Sequence, residues 1–289
     1  MTSTLRLAPL RVLGRFLARH GSPAAAEPGR PAPHALDPQS PAPGEGPTPA
    51  DGGEARPPRL SSLSIFFPCH NEEANVERVV RAALDVGPAV ADEVEVIVVN
   101  DGSGDGTREI ADRLAAEDPR VRAVHHPTNR GYGGALQSGF AAAEKDFVFF
   151  SDGDGQFDLG ELPRLVALVA DGEADLALGY RIRRADPLIR SANAALYKGL
   201  IRLLFGLRVR DIDCAFKLIH RKVLDRVTLK ATGALVSAEL LIKARKAGFR
   251  MREVGVHHYP REAGEQSGAD LRVILRTFVE LARLWRQLR

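Results

Sequence analysis

The chain of 289 residues is long enough for one large domain or two small ones, and its 44% hydrophobic content suffices for a buried core. A formal net charge of +3 is too small to indicate a nucleic-acid partner by itself. Cys69 and Cys214 offer neither a metal-ligand spacing nor a disulfide framework, so we expect a reducing compartment. No run reaches the roughly 18 apolar residues of a transmembrane helix, so we expect any membrane contact to be peripheral.

Residues 1–59 are predicted to form a disordered extension, and 60–268 the folded domain. Between about 21 and 58 the sequence is mostly Pro, Ala and Gly, which cannot bury enough apolar surface to order itself. The first 20 residues carry arginines and apolar residues but no acid. They fit either a basic amphipathic helix on an anionic surface or a frayed tail. Because the arginines interrupt any signal-peptide core, we do not expect export.

Strands and helices alternate after residue 60. We predict strands at 63–67, 94–99, 121–125, 147–150, 175–178 and 250–256. Helices are predicted at 71–84, from the motif at 100–107 to about 116, at 135–143, at 162–169 and from about 221. Asn71 is the predicted cap of the first helix. Repeated strand-helix units of this length predict an α/β fold with a parallel sheet covered on both faces. Ligands then bind at the carboxyl ends of the strands.

A row of oxygen-bearing side chains follows the fourth predicted strand. Asp152, Asp154 and Gln156 are two residues apart, so in extended backbone they project the same way. Two charged oxygens and one neutral oxygen suit a hard cation such as Mg²⁺ or Mn²⁺. A surface turn is the common alternative for such a sequence. An EF-hand is excluded because Phe157 and Pro163 stand where that loop needs Gly and Glu.

The motifs at the predicted strand ends occur in a recognisable order. They are F-P-C-H-N-E at 67–72, N-D-G-S-G-D-G-T at 100–107, N-R-G-Y-G-G at 129–134 and D-x-D-x-Q at 152–156. Together they resemble the family 2 glycosyltransferases of GT-A fold, which have a Rossmann-like, mostly parallel sheet. The closest resemblance is to the dolichol- or polyprenol-phosphate mannosyltransferase branch, and it covers roughly 60–267.

The resemblance implies a donor site for a GDP- or UDP-linked hexose. In the family, the residues that match Pro68, Glu72 and Asp101 hold the nucleoside, and those that match Asp152, Asp154 and Gln156 hold a metal on the diphosphate. His70 stands where the family usually has tyrosine, and a histidine can still stack on a base. Gly131 belongs to the glycines that allow backbone to approach the ligand closely. For Asp101 the alternative is a helix cap or turn residue. Because neither G-x-x-x-x-G-K-[ST] nor G-x-G-x-x-G is present, we do not expect a dinucleotide enzyme.

The resemblance also implies an acceptor site. Arg181, Arg190 and Arg261 match arginines with which the branch grips the acceptor phosphate, which suits the guanidinium fork. The alternative for each is a solvated surface arginine. Ala194 stands where the branch has a serine. Residues 210–217 match the branch pattern D-x-x-[SC]-[GA]-F, which lines the sugar and acceptor side.

General-base candidates are Asp211, Asp213 and Glu239. Asp211 or Asp213 could instead cap the helix that begins near residue 221, and Glu239 could lie on a helix surface. His257 and His258 follow the last strand toward the cleft, where paired or packed histidines are commoner than metal ligands.

Residues 269–289 are predicted to form an amphipathic helix with one apolar stripe between arginines. Packing on the domain or on a partner is one alternative, and lying on a membrane surface is the other. Trp285, set among arginines, favours the bilayer interface.

Together these features predict inverting, metal-dependent transfer of a hexose of mannose or glucose type from a nucleotide sugar to polyprenyl or dolichyl phosphate. The expected place is the cytosolic face of a membrane, with peripheral contact. One alternative is a glycosyltransferase that acts on a sugar or polysaccharide hydroxyl. A second alternative is a non-catalytic sugar-nucleotide-binding protein.

Overall fold

The computed structural model of the protein describes residues 57–182, 188–261 and 271–288, without the side chains of 188–196 and 271–278. The predicted extension therefore lies almost wholly outside the described residues. Seven strands are described: β1 Leu60–Cys69, β2 Ala91–Asn100, β3 Val121–His125, β4 Phe147–Ser151, β5 Leu176–Arg181, β6 Phe216–His220 and β7 Met251–Val256. The helices are α1 Val76–Val90, α2 Thr107–Glu117, α3 Tyr132–Ala142, α4 Leu162–Ala170, α5 Leu188–Phe205, α6 Arg221–Arg226, α7 Val236–Lys246 and α8 Leu271–Leu288.

The strands form one mixed sheet in the order β3-β2-β1-β4-β6-β5-β7. The pairs β1–β2, β1–β4, β2–β3 and β5–β7 are parallel, whereas β6 is antiparallel to both of its neighbours. The prediction of an α/β fold with a mostly parallel sheet is confirmed. The antiparallel strand β6 was not among the predicted strands.

The sequence around β6 shows why this strand was not predicted. Lys217 interrupts its apolar pattern, yet the side chain is fully buried. Its ammonium group donates to the carbonyl of Cys214 and lies 5.5 Å from the centre of the Phe150 ring. Burial lowers the pKa of Lys217 from its ordinary value. A charged residue in a short strand suggests an exposed loop, and here tertiary contacts prevail over that pattern.

The core of the sheet is packed by aromatic side chains. The Phe66 ring meets Phe140 edge-on at 5.1 Å and stacks on Phe150 at 5.5 Å between ring centres. Gly139, on α3, faces the Phe66 ring so closely that an added Cβ would overlap ring carbons. The glycine therefore lets α3 pack directly on β1.

The first helix begins later than predicted. Asn75, not Asn71, precedes α1, so the predicted cap was wrong. Asn71 has a left-handed φ of 57°, which asparagine tolerates better than most residues. Its side-chain oxygen accepts from the Gly104 amide at 2.9 Å, and its own amide donates to the Ser103 hydroxyl at 3.0 Å. Asn71 thus joins the loops after β1 and β2.

The C-terminal helix α8 packs its apolar stripe on the domain over the part with described side chains. Leu281 and Leu284 are buried in the core, and the carbonyl of Leu288 accepts from the Lys246 ammonium. These leucines are therefore unavailable to a bilayer, and this half of α8 follows the domain-packing alternative. Over the described ranges, the structure contains no helix with both the length and the apolar character needed to cross a membrane.

Candidate active site

A cavity of about 1080 Å³ lies at the carboxyl ends of β1, β2 and β4. Its lining includes eight of the residues predicted from the sequence: Pro68, His70, Glu72, Asp101, Gly131, Asp152, Asp154 and Arg261. These residues come from segments far apart in the chain, and the parallel strands bring them to one edge of the sheet. Cys69, Asp105 and Tyr132 also line the cavity, although no role was predicted for them.

Asp152 follows β4 directly and has the most unusual surroundings in the cavity. Its Oδ1 atom is buried and has no hydrogen-bond partner among the described residues. The nearby Tyr132 hydroxyl favours the charged form of this carboxylate. Burial first, and the charge of Asp154 second, raise the pKa of the Asp152 carboxyl to about 7. A buried carboxylate oxygen without a partner is costly unless a ligand satisfies it.

Gln156 is tied to the segment that follows β7. Its side-chain nitrogen donates to the carbonyl of Tyr259 at 2.7 Å, and the Tyr259 amide donates back to the Gln156 carbonyl at 2.8 Å. The Gln156 amide also donates to Asp154 Oδ1 at 3.1 Å. Gln156 therefore holds the turn in shape, and its role as a metal ligand stays a prediction.

Arg261 forms an ion pair inside the cavity. Its Nη2 lies 2.6 Å from Glu72 Oε1, and its Nη1 lies 3.9 Å from Asp154 Oδ2. Glu72 also accepts from the Asn75 side chain at 2.9 Å. Arg261, predicted for the acceptor phosphate, thus lies between two residues predicted for the donor.

The surroundings of Asp101 exclude the helix-cap alternative, and its role in holding the nucleoside stays a prediction. Helix α2 begins at Thr107 after Gly106, so Asp101 caps no helix. Its Oδ1 accepts from His126 Nδ1 at 2.5 Å and from the Arg130 amide at 2.8 Å. Asp101 therefore fixes the loop between β3 and α3 against the end of β2. No role was predicted for His126.

Of the residues predicted for the acceptor, Arg261 lines the cavity, whereas Arg181 and Asp211 are not part of its lining. Arg181, at the end of β5, donates from Nε and Nη2 to the two Asp211 oxygens at 2.7 and 2.9 Å. This bidentate pair and burial hold the arginine in place, and the Asp211 carboxylate raises the pKa of Arg181. The positive charge of Arg181 is close enough to lower the pKa of Asp152.

The other acceptor-side predictions have mixed outcomes. Asp213 is exposed. Neither it nor Asp211 caps α6, because His220 precedes that helix and accepts from the Lys222 amide at 3.2 Å. Arg190 and Ala194 belong to α5, but their side chains lie outside the described residues.

A close backbone contact joins the glycines at 131–134 to residues 231–232, which precede α7. The Gly133 amide donates to the carbonyl of Thr232 at 2.9 Å, and an added Cβ on Gly133 would meet the Thr232 Cα at 2.8 Å. Glu239 holds that segment, since its Oε2 accepts from the Lys230 and Ala231 amides at 2.9 and 2.7 Å. The helix-surface alternative for Glu239 is excluded, because this carboxylate is buried and anchors the local backbone.

The histidines after β7 are engaged in packing contacts. His257 donates its backbone amide to Glu161 at 2.6 Å, and the His258 ring meets Phe157 at 4.8 Å. Within the described part of the chain, no group of three or more His, Cys, Asp and Glu side chains is arranged to hold a metal ion. Two carboxylates at one edge of a cavity still suit Mg²⁺, which commonly takes its remaining oxygens from water and phosphate.

The fold and the cavity define an α/β protein that binds its ligands at the carboxyl ends of a mostly parallel sheet. The sequence model of the family described as Glycosyl transferase family 2 matches residues 64–228. Among characterised relatives, polyprenol monophosphomannose synthase of Mycolicibacterium smegmatis is 32% identical over 72% of this chain and 82% of its own length.

Glycosyltransferase AglD of Haloferax volcanii is 37% identical over 78% of this chain. That match spans only 37% of the length of AglD. Glucosyl-3-phosphoglycerate synthase of Mycobacterium tuberculosis, solved with UDP, has a TM-score of 0.59 and 24% identity, covering 78% of this chain and 80% of that one. This likeness concerns the fold alone.

The chain therefore belongs to glycosyl transferase family 2, as its motifs predicted. Its GT-A fold is confirmed by the structural neighbours. The match to the Mycolicibacterium smegmatis synthase confirms the resemblance to the polyprenol-phosphate branch.

Proposed function

We propose that the protein transfers a hexose from a nucleotide sugar, GDP- or UDP-linked, to polyprenyl phosphate with inversion, at the cytosolic face of a membrane. The observation that carries this proposal is the Oδ1 atom of Asp152, a buried carboxylate oxygen that no described residue bonds, beside a cavity of about 1080 Å³. The names of the relatives support the acceptor, because one of them is a polyprenol monophosphomannose synthase.

Asp152 and Asp154 fit a divalent cation. The two carboxylates concentrate negative charge at the cavity, and one oxygen has no hydrogen-bond partner in the described part of the chain. When bound, Mg²⁺ or Mn²⁺ would act as a Lewis acid that neutralises charge on the nucleoside diphosphate as it leaves. Gln156 keeps the turn closed through its bond to the Tyr259 carbonyl.

The remaining predicted residues divide between donor and acceptor. Pro68, His70, Glu72 and Asp101 line the part of the cavity that we assign to the nucleoside. Arg261, between Glu72 and Asp154, is positioned to meet donor phosphate oxygens as well as an acceptor. Arg181, held by Asp211, and Arg190 remain our assignments for the acceptor phosphate. A phosphate acceptor is already anionic near neutral pH, so no general base has to deprotonate it.

Nucleotide binding and turnover together test this proposal. With Mn²⁺ present, a nucleoside diphosphate is expected to raise the melting temperature, since a ligand that binds the native state stabilises it. Adding a nucleotide sugar and polyprenyl phosphate in vesicles is expected to release nucleoside diphosphate. Binding without release, across a panel of sugar nucleotides, would instead support a non-catalytic binding protein.

The acceptor class is tested by Asp213→Asn. Because Asp213 is exposed and a phosphate acceptor needs no base, we expect this variant to keep its turnover number within about threefold of wild type. Loss of about a hundredfold or more, with the melting temperature unchanged, would favour a hydroxyl acceptor that needs a carboxylate base. Glu109→Gln, which replaces an exposed carboxylate on α2, is the matched control for loss of one surface charge.

A further inference from the structure

We infer that the cavity selects uracil, which offers a single N–H donor, over guanine, which offers two adjacent N–H donors. This inference rests on the proposed function, in which Asp101 receives the base. It concerns the choice between UDP- and GDP-linked donors. The hydrogen bonds that already occupy Asp101 carry the argument.

The Asp101 carboxylate is fixed in place from several sides. Its own amide donates to the Cys69 carbonyl at 2.8 Å, and its side chain is almost fully buried. His126, which holds Oδ1, is itself buried and is fixed at its second ring nitrogen by the Ser138 hydroxyl at 2.8 Å. The amide of His126 also donates to the Asn100 carbonyl at 2.9 Å.

The loop around Arg130 cannot move away easily. Gly102 has a φ of +66°, and a Cβ there would lie 2.5 Å from the carbonyl carbon of Thr128. The loop thus lies directly against the backbone next to Asp101. Rotating the carboxylate would break the bonds from both His126 and Arg130.

One oxygen of Asp101 is therefore used and the other is left for a ligand. An ionised carboxylate has about four lone-pair sites, two on each oxygen. His126 Nδ1 and the Arg130 amide take both sites on Oδ1. Asp101 lines the cavity, and neither of these two bonds uses Oδ2, so we assign Oδ2 to one ligand donor.

The two candidate bases make different demands on this carboxylate. Guanine presents an imino and an amino N–H side by side, and like an arginine fork this pair needs one lone pair on each oxygen. Uracil presents one imino N–H, for which Oδ2 suffices. A guanine N–H left without a partner in a buried site would cost roughly tenfold to a hundredfold in affinity.

Binding to the wild-type protein tests the inference directly. With Mn²⁺ at saturation, calorimetric titration is expected to give at least about tenfold tighter binding of UDP than of GDP. Methylating N3 of UDP removes its only base N–H donor, and we expect a loss of similar size. Equal or tighter binding of GDP, or no effect of N3 methylation, would overturn the inference and leave the proposed function intact. If neither UDP nor GDP binds with Mn²⁺, the proposed function fails as well.

A variant at His126 provides a second readout. His126→Ala frees a lone pair on Oδ1, so the ratio of UDP to GDP affinity is expected to fall several-fold towards one. Ser138→Ala, the control, removes the outer partner of His126 but keeps the bond to Asp101, and its ratio should match wild type. If His126 had only a structural role, its loss would weaken both nucleotides equally and leave the ratio unchanged, contrary to the inference. Should His126→Ala fail to fold, the wild-type titrations decide.

Discussion

Replacing Asp152 by asparagine is expected to reduce sugar transfer by about a thousandfold or more, because a Lewis acid supplies several kcal/mol of transition-state stabilisation. The same change is expected to leave the melting temperature equal to or above that of wild type in metal-free buffer. The wild-type carboxylate is buried, lies close to Asp154 and has one oxygen that no residue in the described ranges bonds, so its charge is a cost to the folded state. Turnover assays and thermal denaturation of the two proteins measure both effects.

The opposite signs of these two effects make the prediction specific. Asp158→Asn serves as the control, because Asp158 belongs to the same turn but accepts from the Gly160 amide next to a short 3₁₀ helix. It should keep transfer and lose a little stability. If Asp152→Asn unfolded the protein, Asp152 would have a structural role. If the variant kept transfer with Mn²⁺, the Asp152 carboxylate would have no role in catalysis.

Gly139→Ala is expected to destabilise the protein by about 1–3 kcal/mol, which corresponds to a few degrees in melting temperature. The added methyl group would overlap the Phe66 ring, which itself packs between Phe140 and Phe150. Either α3 or β1 has to shift, and interiors are packed too densely to absorb such a shift without cost. Chemical denaturation at constant denaturant slope measures the difference.

The matched control for this change is Gly199→Ala. Gly199 also lies within a helix, but outside that helix's own backbone an added Cβ there meets no heavy atom of the described residues within 4 Å. Alanine should therefore stabilise α5 by up to about 1 kcal/mol through its higher helix propensity. If both glycine variants changed stability in the same direction, the contact between α3 and the Phe66 ring would not be the cause.

The position of the cavity was predictable because its motifs follow unbroken apolar runs. The short apolar run that ends at Phe150 is typical of a buried strand. Asp152 and Asp154, which follow it, are then expected at the edge of the sheet. The same reasoning applies to Asp101 after β2 and Glu72 after β1. The local apolar pattern was therefore sufficient to predict the cavity residues that directly follow a strand.

Pairing between distant side chains was not predictable. Arg261 and Glu72 are 189 residues apart, yet their ion pair spans the cavity. His126 meets Asp101 only because β3 lies beside β2 in a particular register, in which Asn100 pairs with His125. Local patterns in one sequence do not give the register between strands. For this reason Arg261 was predicted only for the acceptor, and no role was predicted for His126. Glu239 was misjudged for a related reason, because its partners lie in an irregular segment.

The reversed direction of β6 determines which part of the chain can reach the cavity from that side. In this register Phe216, the first residue of the strand, stands opposite Ser151, the last residue of its neighbour. A strand parallel to β4 brings the residues that follow it to the cavity end of the sheet. The antiparallel strand β6 instead brings the residues that precede it to that end. The acidic stretch that contains Asp211 and Asp213 therefore reaches the site by entering the sheet there. Turning this one strand around would move that stretch to the opposite end of the molecule, although every local motif would remain unchanged.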